Sequence, residues 1–281
     1  MEASVIVGVD GSPSAAHAAE LAGELAVRHR LALEVVHVFS WPAMYPPFLP
    51  PSVVKGLDPR PLAAEIVGTV ATAVGQRHPY LSIGTRAVDG NAAGVLVDAS
   101  RHAAFLVVGH RGLGGLTEIV VGSVGVYVAA HAHCPVLVVR GDAGPSGAPV
   151  VVGVDGSTPA RTAAAHAFAE ADSRHADLYV VHARVGGSTG DPVDLDLADL
   201  VGRYPDVKVH REVRTDDPPA VVISRLASDV GAGLVVVGSR GLGGFRSLLV
   251  GGTSRMLVDH APCPVMVVPT NAVTRLQGGT S

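Results

Sequence analysis

Short β-branched runs alternate with alanine-rich stretches along most of the chain. Val5-Ile6-Val7-Gly8-Val9 precedes a segment whose apolar residues recur at helical spacing, and the pattern predicts a helix from about Ala15 to His29. A strand is expected at Ala32–Phe39, a weaker one near Ser82–Val88, and two aliphatic runs at Phe105–Val108 and Val136–Val139. The order then repeats: Val150–Val154, a helix from Ala160 to His175, Asp177–Ala183, Lys208–Arg214, Leu234–Val237 and Val265–Val268. Strands that alternate with helical crossovers, and that are apolar on both faces, predict open parallel sheets covered by helices on each side. Ser12-Pro13 and Ser157-Thr158-Pro159 supply a cap oxygen and an early proline for the first helix of each half.

The repetition is literal in places. Val5-Ile6-Val7-Gly8-Val9-Asp10-Gly11-Ser12 returns 145 positions later as Val150-Val151-Val152-Gly153-Val154-Asp155-Gly156-Ser157, and Val35-Val36-His37-Val38 returns as Val180-Val181-His182-Ala183. Gly109-His110-Arg111-Gly112-Leu113-Gly114-Gly115 returns as Gly238-Ser239-Arg240-Gly241-Leu242-Gly243-Gly244, and Cys134-Pro135 as Cys263-Pro264, at the shorter offset of 129. An internal duplication is the economical reading. The second copy lacks a counterpart of the proline-rich stretch Trp41–Pro51, which cannot occupy a helix interior or a central strand and is expected to be a surface loop. Gly141–Pro149 has linker composition, so the domains are expected at 1–141 and 150–281, joined by 142–149.

Composition removes several function classes. Of 281 residues, 48% are apolar and 16% charged, which fits two well-packed domains. Aromatics make up 4% and the net charge is −4, so neither a stacking platform nor a basic footprint for nucleic acid is expected. No secretory leader or membrane-spanning apolar run is evident, and a cytoplasmic protein is the expectation. Cys134 and Cys263 lack metal-ligand or disulfide spacing and read as inert buried thiols.

In an open parallel sheet, ligands gather at the carboxyl ends of strands where the connection order reverses. Asp10, Val38 and Gly109 all end such strands, bringing a carboxylate, an apolar tip and a glycine turn to one rim. Glycine turns expose backbone N–H groups to anions such as phosphate. No GxGxxG follows the first strand, and no GxxxxGK[ST], SGGxDS-like or HxGH-like signature occurs, which disfavours dinucleotide oxidoreductases, P-loop NTPases and related adenylyl-transferring enzymes. His37 and His182 have no sequence-adjacent ligand and are expected to shape the site rather than catalyse; no metal site is expected.

The spacing Gly109-x2-Gly112-x9-Gly122-Ser123, with the first-strand Asp and the terminal Pro-Val-x-Val-Val strand, resembles the ATP-binding type of universal stress proteins, here in tandem. The resemblance spans essentially the whole chain and implies two α/β, Rossmann-like domains of the HUP type. By similarity, Gly8, Val9 and Asp10 would border adenine and ribose, and Val38 would meet the base. Gly109, Arg111, Gly112, Gly122 and Ser123 would line the ribose and phosphates. The second site would use Gly153, Val154, Asp155, Ala183, Gly238, Arg240, Gly241, Gly251, Gly252 and Thr253. Gly252 stands where Ser123 does, so either Thr253 supplies the hydroxyl or the second site grips phosphate more weakly. Plainer roles remain open: Ser123 as a helix cap, the arginines pointing into solvent, Asp10 and Asp155 closing a turn. The implied function is a non-enzymatic, ATP-dependent regulator or scaffold of stress or dormancy, with Mg²⁺ accompanying the nucleotide. A homodimer of tandem chains and a regulatory protein partner complete the expectation. The alternatives are a slow ATPase or adenylate-transferring enzyme of related fold, and a nucleotide-free interaction module.

Overall fold

The computed structural model describes residues 3–40, 58–112, 122–183, 197–214, 217–240, 251–270 and 272. The proline-rich 41–51 stretch and Gly241 lie outside them. In the first half, β1 (Ser4–Val9), α1 (Pro13–His29), β2 (Ala32–Phe39), α2 (Arg60–Arg77), β3 (Ile83–Asp89), α3 (Ala92–Ala99), β4 (Ala103–Gly109), α4 (Ser123–His131) and β5 (Val136–Val139) follow one another. The second half contains β6 (Val150–Val154), α5 (Thr158–Arg174), β7 (Leu178–Ala183), α6 (Ala198–Arg203), β8 (Val209–Arg214), α7 (Pro219–Asp229), β9 (Leu234–Gly238), α8 (Gly252–His260) and β10 (Val265–Val268). The expected strands and helices appear within a residue or two of their predicted ends.

The ten strands form a single sheet in the order β3-β2-β1-β4-β5-β10-β9-β6-β7-β8. Each half is parallel throughout, and the halves meet where β5 and β10 pair antiparallel, with Leu137 opposite Met266. The terminal strands β5 and β10 pair with each other and so become the buried centre of the sheet. The true edges are β3 and β8, where Arg86, Asp89, Arg211 and Arg214 discourage further strand addition.

Alternation within strands sends side chains to two apolar layers. Val5, Val7, Phe105 and Val107 pack under α1, α2, α5 and α6; Ile6, Leu106 and Val108 pack under α3, α4, α7 and α8. Each first helix starts with a serine oxygen accepting a backbone N–H, Ser12 from Ala15 and Ser157 from Ala160. Each stops at a left-handed residue, Arg30 at φ 55° and His175 at φ 51°, whose N–H bonds back onto the last turn. Cys134 and Cys263 are buried thiols, and burial pushes the Cys263 thiol up to about 12. Among the described residues no helix is long and apolar enough to cross a membrane.

Candidate functional site

The strand order reverses between β1 and β4 and again between β6 and β9, which creates one rim per half at the strands' carboxyl ends. On the first rim, Asp10 leaves β1 and turns through Gly11, at φ +86°, while its Oδ1 accepts the Ser12 N–H at 3.0 Å. Its other oxygen lies against the loop after β4: a Cβ on Gly112 would stand 2.5 Å from Asp10 Oδ2. A Cβ on Gly109 would stand 2.6 Å from Ser14 Oγ and 2.9 Å from the Ser14 backbone. These two glycines therefore let the strand-four turn close onto the first turn of α1 and the Asp10 carboxylate.

The far end of the loop returns to the same place. The Gly122 N–H donates to the His110 carbonyl at 2.8 Å, and Gly122 is the N-cap of α4 with no side-chain oxygen in the cap. Unlike α1 and α5, whose serine caps occupy first-turn donors, α4 starts beside the glycine turn with no side-chain cap among the described residues. Ser123 is the first helical residue and is exposed, so the helix-cap role considered for it falls to Gly122 instead. Arg111 is also exposed on this rim.

Histidines brace the rim. His37 Nδ1 is 2.7 Å from the Val9 carbonyl and His182 Nδ1 is 2.8 Å from the Val154 carbonyl. A carbonyl can only accept, so each ring donates from Nδ1 and fixes the peptide just before the aspartate. Val38 and Ala183 follow them at the strand tips, half-buried. His110 Nδ1 lies 3.0 Å from the Val139 carbonyl and 3.2 Å from Ser14 Oγ, and burial lowers its pKa. With its Nδ1 proton committed to a carbonyl, His110 cannot take one from Ser14 through that nitrogen. The pair is not a nucleophile and base.

The second rim repeats the plan with changed chemistry. Asp155 Oδ1 accepts from the Ser157 N–H at 3.0 Å and hydroxyl at 2.6 Å, and the Gly251 N–H donates to the Ser239 carbonyl at 2.9 Å. Gly251 is the uncapped N-cap of α8, followed by Gly252 and Thr253. Pro159 and Ser239 replace Ser14 and His110, so the hydroxyl–imidazole contact is lost, and Gly238 packs less tightly, with its hypothetical Cβ 3.1 Å from Pro159. Among the described residues a Cβ on Gly252 would meet nothing within 4 Å, so packing against them does not explain the loss of the serine there. Arg240 is exposed.

Gly8 and Gly153 have a structural reason that spacing did not reveal. A Cβ at Gly8 would press on Leu96 of α3 at 2.8 Å, and one at Gly153 on Ile223 of α7 at 2.5 Å. Their bare backbones serve helix packing on the side-chain face of the sheet. Sequence reasoning also missed Ser14 and His110, for which the serine-to-proline difference between copies was the available signal. Among the described residues no three or more of His, Cys, Asp and Glu converge as metal ligands.

A model of the universal stress protein family matches residues 2–140 and again 148–269. A universal stress protein of Mycolicibacterium smegmatis is 34% identical over 95% of this chain and 97% of its own, and universal stress protein Rv2623 of Mycobacterium tuberculosis is 34% identical over 94% and 95%. The crystal structure of a universal stress protein from Archaeoglobus fulgidus shares the fold with a TM-score of 0.72 at 20% identity, covering 95% of this chain and 96% of that one. Two such domains in sequence, each with its own glycine-turned rim, make this chain a tandem member of the universal stress protein family.

Proposed function

We propose that both rims bind an adenine nucleotide, ATP in the first instance, and that the chain acts as a nucleotide-dependent regulator or scaffold in a stress response rather than as an enzyme. The observation that carries this reading is the contact of Gly112 with the Asp10 carboxylate beneath the uncapped start of α4. An acceptor suited to ribose or adenine donors thereby lies next to backbone amides suited to phosphate. On the first rim, Gly8, Val9, Asp10 and Val38 would border the nucleoside, and Gly109, Arg111, Gly112, Gly122 and Ser123 the ribose and phosphates. Gly153, Val154, Asp155, Ala183, Gly238, Arg240, Gly241, Gly251, Gly252 and Thr253 would do so on the second. The residues fit an anionic nucleotide, and Mg²⁺ would be held by its phosphates and water, since among the described residues no cluster of protein ligands forms.

Mass spectrometry of small molecules released by denaturing the purified chain tests this reading, followed by calorimetric titration with Mg-ATP. Intact ATP with two unequal sites is expected. A chain that carries no nucleotide and binds none at millimolar ATP refutes it.

A further inference from the structure

Beneath the sheet seam, α1 of the first half packs on α5 of the second around a wholly buried carboxylate. Glu170 Oε1 lies 2.7 Å from His29 Nε2, and its Oε2 is 3.2 Å from Arg174 Nε and 3.9 Å from an Arg28 nitrogen. His29 and His166 flank Phe105 at 5.1 and 6.4 Å between ring centroids. Glu24 pairs with Arg28 at 3.6 Å from the solvent side. These six charged or titratable groups are the ones that meet at the cluster.

The cluster is not symmetric, although the halves around it are. Leu137 and Met266 occupy equivalent places in the two copies and stand opposite each other, so a local two-fold axis passes between them. Each half therefore presents a seam that could in principle pair with its own kind. At the offset of the first helices, Glu170 corresponds to Leu25, Arg174 to His29, Ser173 to Arg28 and His166 to Leu21. Two first halves paired in this way would bury two Arg28 and two His29 side chains with no Glu170 between them. Each Arg28 would keep its solvent-side pair to Glu24 but lose the wholly buried carboxylate, and because arginine cannot shed its charge, the two mostly buried guanidiniums disfavour such a pair by about tenfold or more.

We propose that Glu170 selects the pairing of unlike halves and thereby keeps chains from joining first half to first half. The selection matters because a chain with two self-complementary seams can link head to head and tail to tail into open-ended strings. The short linker favours pairing within one chain through effective concentration, but that advantage fades where chains are crowded during refolding. Selectivity written into the buried surface does not fade.

The test uses the full chain carrying Leu137→Cys and Met266→Cys, which report the pairing by where a disulfide forms. After refolding from urea at high chain concentration and oxidation, the parent is expected to link within the chain, as one band under non-reducing conditions. Adding Leu25→Glu gives the first half its own carboxylate, and links between residue 137 of two chains are expected to rise at least about tenfold, with scattering mass in multiples of the chain. Glu170→Leu with Arg28→Leu and Arg174→Leu, which removes the carboxylate together with both guanidiniums it pairs, is a second route. It is expected to keep the urea midpoint near the parent's while interchain links rise. Links that stay within the chain in every variant that refolds overturn the proposal.

Discussion

Replacing His166 with leucine, the residue at the equivalent place in the first half, isolates a proton that the folded chain refuses. His166 is buried, its Nε2 has no hydrogen-bond partner, and burial, opposed in part by Glu170, lowers its pKa from 6.5 to about 4. The unfolded chain takes up a proton near pH 6.5 and the folded chain does so only near pH 4, so this group destabilises progressively as pH falls through that window. From those two values the loss is about 2 kcal/mol at pH 5 and about 3 kcal/mol below pH 4. Above pH 7 both states hold the ring neutral and the linkage vanishes.

Urea unfolding of parent and His166→Leu, repeated at intervals from pH 7.5 to 4.5, measures the difference directly. The variant is expected to lose less stability on acidification, by about 2 kcal/mol at pH 5. It should also match or exceed the parent at pH 7.5, since an unpaired buried nitrogen is removed. Parallel curves for the two proteins across the window would show that His166 protonates in the folded state as it does in the unfolded one, and the argument would fail. Glu170 belongs to a lower window. Burial would raise its carboxyl, but the His29 hydrogen bond and the charges of Arg174, His29 and Arg28 together hold it at about 2, so its contribution is intact above about pH 4.5 and lost as pH falls toward 2.

Three further changes address the rims. Gly252→Ser enters open space and is expected to leave the unfolding midpoint unchanged while tightening ATP at the second site about tenfold, measured by calorimetry; an unchanged isotherm would deny the hydroxyl a role. Gly112→Ala places a methyl group 2.5 Å from the Asp10 carboxylate and should weaken the first site alone, so equal weakening of both sites counts against it. Gly109→Ala, which meets Ser14 at 2.6 Å, should lower thermal stability more than Gly238→Ala, which meets Pro159 at 3.1 Å, and the reverse order in melting experiments would contradict the packing argument.

The periodicity of apolar residues was enough to find the inner strands because both of their faces are buried, whereas the edge strands β3 and β8 are largely exposed and carry a weaker pattern. Ser12-Pro13 and Ser157-Thr158-Pro159 located two helix starts for a local reason, and local reasons are legible in sequence. Contacts between distant segments were not. That Gly8 is small for Leu96, or that Gly109 yields to Ser14, depends on which helix crosses which strand, and spacing carries no trace of it. The seam cluster was hidden differently: Glu170 lies in an alanine-rich helix where a carboxylate normally faces solvent, and only comparison with Leu25 marks it as unusual.

The two halves keep the backbone of their rims and change side chains at places that bear on pairing or binding, among them Leu25 against Glu170, Leu21 against His166, Ser14 against Pro159, and Ser123 against Gly252. None of these is needed to build the fold, since each half builds it with the other's choice. The first pair sets unlike surfaces beneath the seam, and the last two alter donors at the strand tips. Each chain contains one rim of each kind however the halves pair, so any difference in nucleotide affinity between the rims would be carried by every chain. An ATP titration that reads as two classes in equal number is the consequence, and it should persist at any chain concentration, because neither rim is assembled from two chains.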